Sequence, residues 1–388
     1  MHIAVLKEKK ICENRVALIP EHAAALTQEG HTIFLETGAG NNAGFPDSEY
    51  IWAGAQPVPR EEALSEAALI LKVKAPLEEE YRDYRPDHIL FTYLHFDENI
   101  PPAQIHNLIK SGFLGIAYEW VGTDNEYPLL APMSRITGYL FAQKAIELTT
   151  RERGFLCSGL EKNFTPARVL IIGMGTIGMS VYRFCKANGL AVVILDKHPE
   201  TLATRLEKRF PDSHLFNPRH TEVILFESEN PGQAIEALDS SIENFDLIFN
   251  CAVRRSDLPK DKMEYLITEK MVQKMRAGTV ICDTTACDRD LIETCVSSPD
   301  LEHFDLIHGV IHYNTDHIPS LVAQSSSRLL NDATLPFIRK LAASGCDAVL
   351  QDAALENGTS CYKGFLTHRY TAEKKRMRWR PIRSLINQ

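Results

Sequence analysis

Arg168-Val169-Leu170-Ile171-Ile172-Gly173-Met174-Gly175-Thr176-Ile177-Gly178 is the stretch on which the fold is decided. Its first five residues read as a buried strand, and Ile177, Val181, Phe184 and Cys185 keep the three- and four-residue spacing of a buried helix face. Glycines stand at 173, 175 and 178, where strand passes into helix. Gly173 permits the turn, Gly175 lets a pyrophosphate approach the backbone, and Gly178 allows the helix to pack closely. The free amides at the head of that helix, those of Thr176 and Ile177 among them, form an anion site. Eighteen residues after Gly178, Asp196 closes the next strand, residues 191–195, where a carboxylate accepts hydrogen bonds from a ribose diol. This constellation predicts a Rossmann dinucleotide-binding domain for NAD. Lys197, a cation beside that acid, keeps NADP open, and the plainer reading of Asp196 is a cap on the following turn.

Outward from this loop, strands at 246–251 and 279–283 continue a series that begins near Ala167, after the polar stretch 158–166. The first 120 residues repeat the rhythm, with strands expected at 3–6, 32–36, 67–73, 89–94 and 114–120 and helices at 21–29 and 101–111. Gly30 and Gly112 stand where helices should stop, and Pro20 and Pro101 where they should start. Beyond residue 300, an apolar run at 306–310 leads into a helical region at 325–342 with no strand partners of its own, which should therefore pack elsewhere. The expected fold is α/β with two doubly wound domains. Residues 1–128 begin a discontinuous substrate domain, residues 129–302 form the inserted nucleotide domain, and residues 303–388 return to complete the first. Ligand pockets favour the cleft between such domains.

At 388 residues the chain exceeds the size at which one hydrophobic core keeps growing, in agreement with two domains. Apolar content of 44% and charged content of 24% are those of a packed globular protein. A formal charge of −9 supplies no basic field for nucleic acid or an anionic membrane. The cluster Lys374, Lys375, Arg376, Arg378, Arg380 and Arg383 reads as a solvated tail or a subunit contact. Nine scattered cysteines, none paired at two-residue spacing, suggest no metal site and fit a reducing cytoplasm. The apolar start is interrupted at once by Lys7, Glu8, Lys9 and Lys10, so no secretory signal is read. The longest apolar runs fall short of the roughly 20 residues that cross a bilayer.

In an open α/β sheet, function gathers at the carboxyl ends of strands. Arg15 falls in the loop after the first strand, Lys74 closes Leu71-Lys72-Val73-Lys74, and His95 closes Phe91-Thr92-Tyr93-Leu94-His95. Singly, each has a plain explanation, Arg15 as a surface arginine and His95 as a satisfied structural histidine. Together, opposite a dinucleotide fold, they favour chemistry. Arginine offers a planar fork for a carboxylate, a desolvated lysine ammonium polarises a 2-oxo group or imine, and imidazole passes a proton near neutrality.

Those strings, with Lys7-Glu8, Glu13-Asn14-Arg15-Val16-Ala17, Glu36-Thr37-Gly38-Ala39-Gly40, Leu129-Leu130-Ala131-Pro132-Met133-Ser134 and Tyr362-Lys363-Gly364, run in one order along almost the whole chain. The sequence thereby resembles the alanine dehydrogenase and transhydrogenase N-terminal family. The resemblance implies an NAD(P)-dependent amino-acid dehydrogenase working on a small 2-oxo acid and an amine or ammonia, and a homo-oligomer. It implies that Arg15 and Lys74 hold the substrate carboxylate and carbonyl, that His95 is the general acid/base, and that Ser134 touches the cofactor. Two strings depart from the family pattern. Arg135 and Tyr139 stand where an acid and an arginine are usual, and Cys287 stands where a functional aspartate is, with Asp288 one residue late. Two alternatives stay open: an opine-type reductase that condenses an oxo acid with an amino acid, Arg135 and Tyr139 shaping its amine pocket, and a nucleotide-binding regulator without catalysis.

Overall fold

A computed structural model describes residues 1–98, 100–124, 126–159, 162–209, 221–254, 257–285 and 287–386. The chain divides into two units, Met1–Met133 with Pro319–Gln388, and Ser134–Ile318. In the first, strands β1 (His2–Val5), β2 (Thr32–Glu36), β3 (Gln56–Val58), β4 (Leu69–Leu71), β5 (Ile89–Thr92) and β6 (Leu114–Ala117) are parallel, in the order β3-β2-β1-β4-β5-β6. Strand order reverses between β1 and β4, so the loops at their carboxyl ends part to opposite sides and open a crevice.

The second unit repeats the plan with β7 (Arg168–Ile172), β8 (Ala191–Asp196), β9 (Glu222–Leu225), β10 (Leu247–Asn250), β11 (Val280–Asp283), β12 (Asp305–Ile307) and β13 (Val310–Asn314). Their order is β9-β8-β7-β10-β11-β13-β12, with β12 antiparallel at the edge and the reversal between β7 and β10. Along β7, Val169 and Ile171 enter one core cluster while Leu170 and Ile172 enter another. Alternate side chains point to opposite faces, so a strand covered on both sides must be apolar at every position. The apolar run 169–172 is uninterrupted for that reason.

The return to the first unit comes later than expected. Val280 lies opposite Ile311 in a parallel pair, so 303–318 complete the nucleotide sheet and the first unit resumes at Pro319, not at 303. At the other end 129–133 belong to the first unit, which moves that boundary from 128 to 133. The single apolar run expected at 306–310 is two antiparallel strands, since His308 and Gly309, both at positive φ, turn the chain between them. The helix Ala323–Ser344 follows, burying Leu330, Asn331, Ile338 and Leu341. Past it, β14 (Thr359–Tyr362) and β15 (Phe365–Leu366) add to the β6 edge of the first sheet. Among the described residues, no helix is long and apolar enough to cross a membrane, and no group of three or more His, Cys, Asp or Glu is placed to hold a metal ion.

Candidate active site

The loop beyond β1 carries Glu13 and Arg15, both buried. Arg15 Nε donates to Glu13 Oε1 at 2.7 Å and Nη2 donates to Oε2 at 2.5 Å, a two-point ion pair. Burial disfavours the Glu13 charge, but Arg15 first and then Lys74 outweigh it and hold the carboxyl below its ordinary pKa. Among the described residues, the Nη1 edge of the Arg15 fork is hydrogen-bonded to the Met133 sulfur alone, at 3.3 Å. Lys74 follows β4 and is buried. Two residues before it, Lys72 is spent on two buried carboxylates, Glu8 and Glu80, each at 3.2 Å. Glu8 also accepts from Val73 N at 2.6 Å, tying the strand end that presents Lys74. Lys74 acts electrostatically on Glu13 and on His95.

His95 leaves β5 with φ 50, a left-handed backbone that needs outside support. The buried Glu119 carboxylate, just past β6, supplies it by accepting from His95 N at 2.6 Å and from Leu94 N at 3.2 Å. The Tyr93 ring stacks on the imidazole, with centroids 5.4 Å apart, and its hydroxyl donates to Leu129 O at 2.7 Å. Nδ1 of His95 lies 2.9 Å from Glu98 Oε1. An ionised carboxylate only accepts, so Nδ1 carries the hydrogen and Nε2, which has no hydrogen-bond partner among the described residues, is left to exchange a proton. Burial works against the imidazolium, as does Lys74; Glu98, with Glu119, outweighs both and raises the His95 pKa above its ordinary value. The three residues expected from sequence, Arg15, Lys74 and His95, therefore stand together in the first unit at the ends of β1, β4 and β5.

In the second unit, the glycine loop is closed to side chains at two positions and open at the third. A Cβ at Gly173 would stand 2.7 Å from that of Ala252, and one at Gly178 would meet Gly173 O at 2.0 Å. A Cβ at Gly175 would meet nothing within 4 Å, which leaves room for phosphates. Beside that room, the helix Thr176–Ala187 begins, and Met179 N is the amide that bonds back to Gly175 O, at 2.9 Å. The Thr176, Ile177 and Gly178 amides before it are unclaimed by the helix and form its positive end. Ser134 begins the same unit, half-buried in the helix Leu130–Arg153.

Asp196 caps the following turn and also holds the glycine loop. Its carboxylate accepts from His198 N at 2.9 Å, which caps the turn, from Met174 N at 2.8 Å, which pins the glycine loop, and from Arg205 Nη2 at 2.6 Å. Burial opposes its charge, but Arg205 and the two amides hold its pKa below the ordinary value. A carboxylate offers about four acceptor sites, so one remains for a ribose hydroxyl. Lys197, which kept the 2′-phosphate in view, pairs with Asp257 at 2.9 Å. The anionic acid, the free amides and the open space at Gly175 together fit a dinucleotide.

Two of the departures from the family pattern have local partners. Arg183 Nη1, on the nucleotide helix, donates to the Tyr139 hydroxyl at 3.1 Å. Asp288 Oδ1 accepts from Ser297 N and Oγ, both at 2.8 Å, which ties it to that turn. Asp283, wholly buried at the end of β11, has its pKa pushed up to about 6 by burial. Four polar residues escaped the sequence reading: Glu13, Glu98, Glu119 and Arg205. Glu13 and Glu98 lie two and three residues from the cations they serve and were open to a search for nearby acids. Glu119 and Arg205 are brought in by topology alone.

Family models described as alanine dehydrogenase/PNT, N-terminal and C-terminal domains, match residues 4–137 and 139–369. An alanine dehydrogenase of Staphylococcus haemolyticus is 33% identical over 382 residues, which cover 96% of each chain. That of Methanococcus maripaludis is 32% identical over 399 residues, the whole of both chains. Among solved structures, an L-alanine dehydrogenase superposes with a TM-score of 0.81 at 32% identity, covering 96% of this chain and 99% of its own. A transhydrogenase from Sinorhizobium meliloti shares the fold, with a TM-score of 0.73 at 20% identity over 95% of this chain and 100% of its own.

Proposed function

The chain belongs to the alanine dehydrogenase/PNT family, and from that premise we propose that it interconverts alanine with pyruvate and ammonia using NAD. Full-length identity of 33% and 34% to alanine dehydrogenases makes it an oxidoreductase acting on the CH–NH2 group of amino acids. The observation that carries the finer reading is the His95 imidazole, held at Nδ1 by Glu98 and open at Nε2, with Lys74 and the Arg15–Glu13 pair beside it.

NAD, when bound, supplies the hydride acceptor or donor for the substrate carbon. The Nη1 edge of Arg15 holds the substrate carboxylate, since a guanidinium presents donors in a fixed plane. The Lys74 ammonium polarises the 2-oxo oxygen while ammonia adds to the carbonyl carbon. His95 Nε2 takes a proton from the added nitrogen and returns one to the departing oxygen, so that carbinolamine becomes imine and water. Glu98 and Glu119 keep the imidazole in place through both transfers. The glycine loop, Thr176, Ile177 and Asp196 bind the nucleotide, and Ser134 is assigned to it by family resemblance.

His95→Ala tests this assignment. Turnover should fall by about 10²–10⁴ while the NADH dissociation constant is unchanged; near-normal turnover would remove His95 from the chemistry.

A further inference from the structure

The basic C-terminal cluster is not spent on solvent alone. Lys375 Nζ donates to the backbone carbonyls of Glu98, in a short contact, and of Ile100, at 2.8 Å. Its neighbour Lys374 stands 3.8 Å from Asp97. These acceptors lie in the loop that follows His95 and carries Glu98. We infer that Lys375 is a positioning residue for the acid–base step, a clamp from the far end of the chain that holds the Glu98 loop against the His95 imidazole. The inference rests on the reading of His95 as the proton carrier.

The geometry of the clamp is fixed at both ends. Its helix, Arg369–Lys375, is anchored by Thr371 and Ala372, which are fully buried. Ala372 and Phe96 belong to one core cluster, against which Ile100 also packs. The distance from helix to loop is thus set by packing, and the Lys375 ammonium spans it. On its near side the loop is closed by Glu98 N donating to His95 O at 3.1 Å. On its far side the two carbonyls held by Lys375 stop the Glu98 backbone from swinging away. Lys375 ends its helix, where a cation is favoured by the helix dipole.

The charged groups around the imidazole come from four elements. They are Glu98 and Asp97 on its own loop, Lys74 after β4, Glu119 after β6, and Lys374 behind Asp97. Glu98 is the acid in direct contact with His95 Nδ1, so its placement governs the pH profile.

Lys375→Met in the full chain, with Lys375→Gln beside it, should lower kcat about tenfold or more, because misplacement of a reacting group by 1 Å costs up to about 10²-fold. The acidic limb of kcat/KM for alanine should move to lower pH as Glu98 loosens its hold on Nδ1. Lys375→Arg should restore most of both, and NADH affinity and melting temperature should stay near those of the parent. An unchanged kcat and pH profile in the Met and Gln variants would overturn the inference. So would a loss that tracks a fall in melting temperature and is not rescued by arginine. Normal turnover in His95→Ala, by contrast, would overturn the reading on which the inference rests.

Discussion

Glu98 and Glu13 decide how well the site's cations work. Glu98 raises the His95 pKa, so the imidazolium persists to a higher pH than in an ordinary histidine. Oxidation of alanine needs the neutral imidazole as base, so kcat/KM should fall on the acid side at a pH above the usual histidine value. Glu98→Gln keeps the contact to Nδ1 but removes the charge, and the acidic limb should shift to lower pH by up to about one unit; an unmoved limb would dissociate Glu98 from the titration. Arg15→Lys should raise KM for pyruvate by about 10- to 100-fold with a smaller effect on kcat, since an ammonium cannot hold Glu13 and a carboxylate in one plane. Equal KM values would place the carboxylate elsewhere. Arg15, Lys74 and His95 were legible in the sequence because each ends or follows a strand at the functional edge of a sheet. Glu119 was not, since its bond to the His95 amide exists only once β5 and β6 lie side by side.

At the level of elements, the glycine loop separates binding from folding. Gly175 has an ordinary negative φ and open space at its Cβ position, so Gly175→Ala should leave stability within about 1 kcal/mol. The methyl would occupy the phosphates' room, and NADH should bind at least about tenfold more weakly. Gly178→Ala drives a methyl against the Gly173 carbonyl and should destabilise the unit by about 1–3 kcal/mol. Calorimetric unfolding and NADH titration of the two variants check this contrast; equal effects on both properties would refute it. The strands at 168–172 and 32–36 were readable to the residue, because their buried stretches, 169–172 and 33–35, are wholly apolar. Short edge strands were not. Pro57 disguises β3, and β9 is an edge strand whose apolar Val223 and Leu225 are exposed, so burial does not mark it.

For the molecule as a whole, the proposed acid–base residues and the glycine loop lie on different units, which is why His95 variants should keep their NADH affinity. The unit boundary near residue 300 was misjudged because β13 is specified by its pairing with β11, a contact that no local pattern announces. The C-terminal cations, read as a solvated tail or a subunit contact, are partly engaged within the chain: besides the Lys374 and Lys375 contacts, Arg383 pairs with Glu356 at the surface. The central claim, that this site reduces the imine of a small oxo acid and ammonia, is tested by NADH oxidation with pyruvate and either ammonium or a series of amino acids as nitrogen donor. The account predicts turnover with ammonium that His95→Ala abolishes. Oxidation only with ornithine, lysine or another amino acid, or none at all while NADH binds, would contradict it.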